Sequence, residues 1–202
     1  MANCYLCGIK LIKNKNKSKD HVPPDCIFPV KKPLNLITVP CCIKCNGKFK
    51  ELDEKMRNHF AILAGDKSQG LGKKSTRELF RNNKKMDEFI SNTKLHTSLK
   101  DKNGHPGLLY FFDEDEINLW LIRLVKGIYF KKDKTRLENV EFSVKQHPDI
   151  KPPSCESFHV EEGLEYCPYF VYKMFTDDKN KNLAHWIFMF YGHLIFQVTV
   201  NN

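Results

Sequence analysis

The spacing of apolar residues changes period along this chain, and the changes outline its elements. Phe49, Leu52, Met56 and Phe60 recur at intervals of three and four, with Ile62 and Leu63 beyond. That stripe predicts a helix beginning near residues 42–46 and ending near Gly65. A second helix is predicted over residues 113–130, DEDEINLWLIRLVKGIYF. Acidic residues crowd its first turn, where the helix dipole favours them, and Leu121, Leu124, Val125 and Ile128 supply its apolar face. The pattern then shortens. VEFSV, YFVYKMF, HWIFMFY and LIFQVTV are rich in β-branched and aromatic residues and predict an antiparallel sheet. Gly192-His193 between the last two reads as a tight hairpin turn.

The ends of these blocks are marked by polar and turn-forming residues. Residues 3–12, NCYLCGIKLI, predict a short knuckle and hairpin, with Gly8 permitting the tight turn after the cysteine pair. Residues 13–19 read as a polar, lysine-rich loop. Prolines disfavour helix over residues 20–39, where two extended runs are expected, around residues 21–22 and 34–39. DKSQGLGKKS reads as a linker, a basic helix is expected at about 75–91, and KDKNGHPG signals a loop. The fold class expected is α+β. Residues 1–65 would form an N-terminal module, 66–112 a basic helical and linker region, and 113–202 a helix plus an antiparallel sheet.

Charge separates these parts. The net charge is +9. Residues 1–100 carry 21 Lys/Arg against 9 Asp/Glu, whereas residues 101–202 carry 12 against 15. A basic front half suggests a polyanionic partner, most simply nucleic acid. No segment approaches an uninterrupted apolar run of about 18 residues, and the N-terminus lacks the apolar core of a signal peptide. A soluble, cytoplasmic protein is the expectation, with no membrane partner.

Six of the eight cysteines lie in the first 45 residues. Cys4-x2-Cys7 and Cys42-x2-Cys45 form two matching pairs. Zinc prefers four tetrahedral ligands and thiolates suit it, so these four are the expected structural zinc ligands. Cys26 and Cys41 read as small buried residues. Cys155, His159 and Cys167 have irregular spacing and are not expected to form a second site. The cage would clamp the chain on either side of DHVPP, residues 20–24.

Within that clamp the order of motifs resembles the HNH endonucleases. The pieces are CYLC, DHVPP, LNLITVP and CIKCN, covering roughly residues 1–60. The resemblance implies a ββα-metal finger, two strands and a helix around a catalytic divalent cation. It implies His21 as general base, since a neutral imidazole can take a proton from water. It also implies Asp20 and Asn46 as ligands of Mg2+ or Mn2+, and Asn35 as the residue that orients the base. Asp20 and His21 are successive on a strand, so sharing one site would need an irregular strand end. Lys44, Lys48 and Lys50, near the helix start, are expected to contact phosphates. Asp53 lies two turns beyond Asn46 and reads as a surface or supporting residue. His59, His96, His105, His147, His185 and His193 match no motif.

Together these features point to a metal-dependent DNA endonuclease. Backbone contacts to double-stranded DNA are expected, and a homodimer is left open. By resemblance only, the setting would be phage defence or a mobile element. The alternative is a non-catalytic, zinc-containing module that binds nucleic acid or protein; RNA as the substrate also stays open. The aromatic strands read as core rather than as base-stacking platforms. The second half could buttress the nuclease, dimerise it or recognise a target.

Overall fold

The computed structural model describes residues 2–28, 33, 36–64, 77, 81–100, 104, 106–110, 113–146, 169–176, 183–192 and 194–201. Strand β1 (Lys17–His21) pairs antiparallel with β2 (Thr38–Cys42), with Lys17 opposite Cys42, Asp20 opposite Val39 and His21 opposite Thr38. A single 3-10 turn, Asp25–Ile27, follows β1. Helix α1 (Ile43–Ala64) continues directly from β2. Helix α2 (Asn83–Ser91) precedes a two-stranded antiparallel sheet of β3 (Thr93–Lys100) and β4 (Pro106–Tyr110). Helix α3 (Glu114–Asp133) then leads to β5 (Glu141–Gln146), β6 (Phe170–Thr176), β7 (Leu183–Phe190) and β8 (Leu194–Asn201). The last four form one antiparallel sheet in the order β5-β8-β7-β6. The architecture is thus α+β. No helix among the described residues is long and apolar enough to cross a membrane.

Most elements follow the periodicity. Helix α1 ends at Ala64, one residue before the expected glycine. The Asp113 carboxylate caps α3 by accepting from the amides of Asp115 and Glu116. Lys134 closes α3 in the left-handed region, at φ 59°. The β7–β8 connection carries Tyr191 at φ 52° and Gly192 at φ 75°, so it begins one residue before the expected Gly192-His193; His193 lies outside the described residues.

Three expectations shift. Strand β1 occupies the lysine-rich stretch read as a loop; KSKDH lacks apolar alternation, and its strand form comes from pairing with TVPCC. Strands β3 and β4 pair antiparallel on either side of KDKNGHPG, where the sequence signals only a loop. The helix expected over 75–91 is described as helix at Arg77 and over Asn83–Ser91; residues 75, 76 and 78–80 lie outside the described residues.

Helix α3 is the centre of the molecule. Trp120, Leu121, Leu124, Val125 and Ile128 are completely buried, each contributing about 1.5–3 kcal/mol by leaving water. Phe60 of α1 packs edge-on to Trp120 and stacks on Phe190 of β7, with ring centroids 5.4 and 4.7 Å apart. One apolar core runs from Cys4 to Val200, so the N-terminal module and the C-terminal sheet share it. The aromatic strand residues Phe170, Tyr172, Trp186, Phe188 and Phe190 are buried in that core.

Candidate metal and catalytic sites

The N-terminal knuckle folds around its first cysteine. The Cys4 amide donates to the Ile9 carbonyl at 2.9 Å, and the Gly8 amide donates to the Cys4 carbonyl at 2.9 Å. Gly8 has φ 75°, a backbone conformation that favours glycine, and the Arg136 guanidinium lies over the place a Cβ would take. The second knuckle forms where β2 becomes α1, with the Cys45 amide donating to Cys42 Sγ at 3.3 Å.

These turns bring four sulfurs together. Sγ of Cys4, Cys7, Cys42 and Cys45 all lie within 4.8 Å of one another. Cys7 and Cys42 are 3.8 Å apart, the edge of a sulfur tetrahedron about a zinc with bonds of about 2.3 Å. The cluster could therefore hold a metal ion such as zinc. Burial raises the Cys4 pKa, but backbone amides of Cys7, Cys42 and Leu6 outweigh it and bring the thiol down to about 7, toward the thiolate a metal needs. Cys41 Sγ lies 3.9 Å from Cys4 Sγ yet is outside the four. Burial, followed by the charges of Cys4 and Asp20, holds Cys41 strongly as a thiol. Cys26 is half-buried rather than buried, and its thiol donates to the Asp53 carbonyl at 3.4 Å. Cys155, His159 and Cys167 lie outside the described residues.

Strand alternation separates Asp20 from His21. The ladder stays regular through both, so their side chains leave on opposite sides. Asp20 is 2% exposed and faces α3. Arg123 grips it with both forks, Nη2 to Oδ1 at 2.6 Å and Nε to Oδ2 at 3.1 Å. The Tyr5 hydroxyl donates to the same Oδ2 at 2.6 Å. Arg123 Nη1 also donates to Asp53 Oδ1 at 2.6 Å, an oxygen that accepts from Trp120 Nε1 at 2.9 Å. The guanidinium carbon lies 4.5 Å from the centre of the Phe49 ring.

This hub is electrostatically self-consistent. Burial lowers the Arg123 pKa, but the charges of Asp20 and Asp53 outweigh it and hold the guanidinium charged. Burial pushes Asp53 up, and Arg123 opposes that shift. Tyr5 is pushed well up by burial and then by the Asp20 charge, so its proton stays on to donate. Asp53 is thus a partner of Arg123 rather than a surface residue. The cation set implied by the resemblance does not fit this arrangement, because Asp20 is buried with both oxygens already accepting from Arg123.

His21 faces the other way, with its side chain one-third exposed. Its Nδ1 lies 4.0 Å from Asp25 Oδ2. The residues around it are fixed. The Val22 amide donates to the Ile37 carbonyl at 2.9 Å, and Val22 packs so closely on Gly127 of α3 that a Cβ there would meet Val22 Cγ2 at 2.6 Å. Beyond the Asp25–Ile27 turn, the Tyr191 hydroxyl of the β7–β8 turn donates to the Ile27 carbonyl. Asn46, in the first turn of α1, donates from Nδ2 to Ser18 Oγ at 2.9 Å and to the Lys19 carbonyl at 3.3 Å. It therefore reaches the strand that carries His21. Asn35 lies outside the described residues. Lys44, Lys48 and Lys50 are exposed on α1. His59 is buried, and burial followed by the charge of Lys55 lowers its pKa to about 4.

The residues that sequence reading missed are Tyr5, Asp25 and Arg123. Arg123 left a trace: it stands three residues after Trp120 and four before Gly127, a charge on the apolar face of α3. Comparison of the chain with protein-family models, curated proteins and solved structures gave no match.

Proposed function

We propose that this protein is an endonuclease that hydrolyses phosphodiester bonds in DNA, with His21 as general base and the four-cysteine cluster holding a structural zinc. The observation that supports it is the fixing of His21. Asp20 and Val22, on either side, are both locked to α3, while the imidazole between them stays open to water. With Nδ1 turned toward Asp25, Nε2 is the nitrogen that takes the proton of an attacking water. The hydroxide then attacks phosphorus, and the P–O bond to the leaving oxygen breaks. A divalent cation would supply charge stabilisation at that oxygen. Asp20, closed by Arg123, is not among the groups that could hold it.

That closure specifically favours a second reading, a zinc-containing nucleic-acid-binding module without catalysis. Supercoiled plasmid incubated with Mg2+ or Mn2+ separates the two. The nuclease reading expects nicking by wild type and loss of at least about 100-fold in rate in His21→Ala, the usual contribution of a general base. No nicking across several divalent metals, or equal cleavage by His21→Ala, leaves the binding module.

A further inference from the structure

The alternation that buries Asp20 lays out a face of opposite character. Lys17, Lys19 and His21 point away from α3 along one side of β1, about 6.8 Å apart at two-residue spacing. Lys10, Lys13 and Lys15 precede them on the same arm, and all five lysines are exposed. Among the described residues, none of the five pairs with a carboxylate. Asp20, the acid in their own strand, is turned inward and neutralised.

The lysines of α1 stand in a different field. Burial raises the Glu54 pKa, but Lys85, then Arg57 and Lys50, outweigh it and lower it, so Lys50 stands in the field of that carboxylate. Lys48 shares a small groove with Glu51, Lys55 and Glu116. Cation and anion alternate there, so the surface offers a polyanion little net attraction.

Across the hairpin, the opposite partner of His21 is Thr38. Thr38 is also a wall of a groove of about 640 Å3 whose far side is the C-terminal end of α3, with Lys131 and Lys134 exposed on it. The third cation of that groove, Arg136, is committed to the Leu6 carbonyl and to Glu138. Thr38 thus links the two lysine sets, those of β1 on the strand that carries His21 and those of α3 across the groove.

We infer that the outer face of the β1–β2 hairpin, continued into the groove beside α3, is the track for a nucleic-acid backbone. Lys17 and Lys19 contact phosphates on the strand that carries His21, and Lys131 and Lys134 contact them across the groove. The inference takes from the proposed function that nucleic acid is the partner, but it does not require hydrolysis. It moves the footprint away from Lys48 and Lys50, and it gives the second half of the chain a direct part in binding.

The test is fluorescence anisotropy with a labelled DNA duplex, in EDTA so that no cleavage occurs, over a series of salt concentrations. Each phosphate contact contributes about 0.9 to the slope of log affinity against log salt. Lys17→Gln/Lys19→Gln should lower the slope by about 1.8, as should Lys131→Gln/Lys134→Gln. A fourfold rise in salt would then weaken wild type about 12-fold more than either variant. Lys48→Gln/Lys50→Gln should change the slope by less than half as much. An unchanged slope in Lys17→Gln/Lys19→Gln, or an equal loss in Lys48→Gln/Lys50→Gln, overturns the track. An unchanged slope in the α3 pair alone overturns its extension into the groove. The substituted lysines are exposed, so melting temperatures should match wild type and a folding defect cannot mimic the effect. Slope loss without plasmid nicking leaves the track standing and sinks only the nuclease. Nicking with unchanged slopes does the reverse, and wild type binding neither duplex DNA nor duplex RNA removes both.

Discussion

Replacing Arg123 by methionine tests the hub on which the placement of His21 depends. Methionine keeps much of the stem that lies over Phe49, so the change removes charge more than volume. Asp20 loses two bonds, of 2.6 and 3.1 Å, and Asp53 loses one of 2.6 Å. Asp20 would stay buried and Asp53 mostly buried, both without that cation. Breaking a buried pair in this way costs about 3–5 kcal/mol, a large part of the roughly 5–15 kcal/mol that holds a domain together. For a chain of this length, that corresponds to a fall in melting temperature of about 10 °C.

The sign of the pH dependence provides a second reading of the same variant. Burial already raises the Asp53 pKa, and Arg123 is the largest influence opposing it. Without Arg123 the folded-state value rises further above the unfolded one. The unfavourable contribution is then full at neutral pH and shrinks as pH falls through the folded-state value. Urea unfolding followed by circular dichroism at pH 8 and pH 5 should therefore show a larger deficit at pH 8. Adding Asp20→Asn and Asp53→Asn to Arg123→Met removes every charge of the hub and should recover most of the loss. A deficit below about 1 kcal/mol in the single variant, or no recovery in the triple variant, would refute the hub.

Other expectations follow from other residues. Elemental analysis should find about one zinc per chain, lost together with the fold in Cys42→Ser/Cys45→Ser; full retention of zinc by that variant removes the cage. His59, buried with its pKa near 4 against an ordinary 6.5, stays neutral while the unfolded chain takes up a proton. Stability should therefore fall by up to about 3 kcal/mol between pH 6.5 and 4, and His59→Gln should unfold with a flatter pH profile than wild type over that window. Gly127→Ala would push a methyl into Val22 at 2.6 Å, costing about 1–3 kcal/mol. Adding Val22→Ala should relieve the clash, and a double variant no more stable than Gly127→Ala would show that the two residues do not press on each other.

The parts of this fold that were legible in the sequence are those whose cause is local. The two cysteine pairs, the stripe of α1, the apolar face of α3 and the strands of the last sheet each carry their own spacing. Strand β1 does not. KSKDH has one buried side chain, that of Asp20, and its pairing partner lies beyond a proline-rich stretch. The hub was hidden for a similar reason, since Arg123 and Asp20 are 103 residues apart in the chain. Two signals were nonetheless present. A charge on the apolar face of α3 needs a buried partner, and Tyr5 between two expected metal ligands has its ring in the core and its hydroxyl in need of an acceptor. Read together, they ask for a buried carboxylate, and the Asp-His pair contains one.

The same feature that fixes His21 limits what its neighbour can do. A general base needs an imidazole in a set position with one nitrogen open, and a cation site needs a carboxylate with an oxygen to give. One strand cannot turn two successive side chains to the same side while its ladder stays regular. The chain resolves this by using Asp20 to hold the strand against α3, through Arg123, and leaving His21 outside. Gly127 and Tyr191 fix the residues that follow, so α3 and the β7–β8 turn act as a frame for the hairpin. If the wild type cleaves, the chemistry therefore runs from the outer face, where imidazole and lysines lie together, and Asp20 contributes by position. Asp20→Asn should then lose stability while keeping the wild-type dependence of cleavage on divalent-cation concentration. A rise of tenfold or more in the cation concentration needed would instead make Asp20 a ligand and require the Arg123 grip to open during turnover.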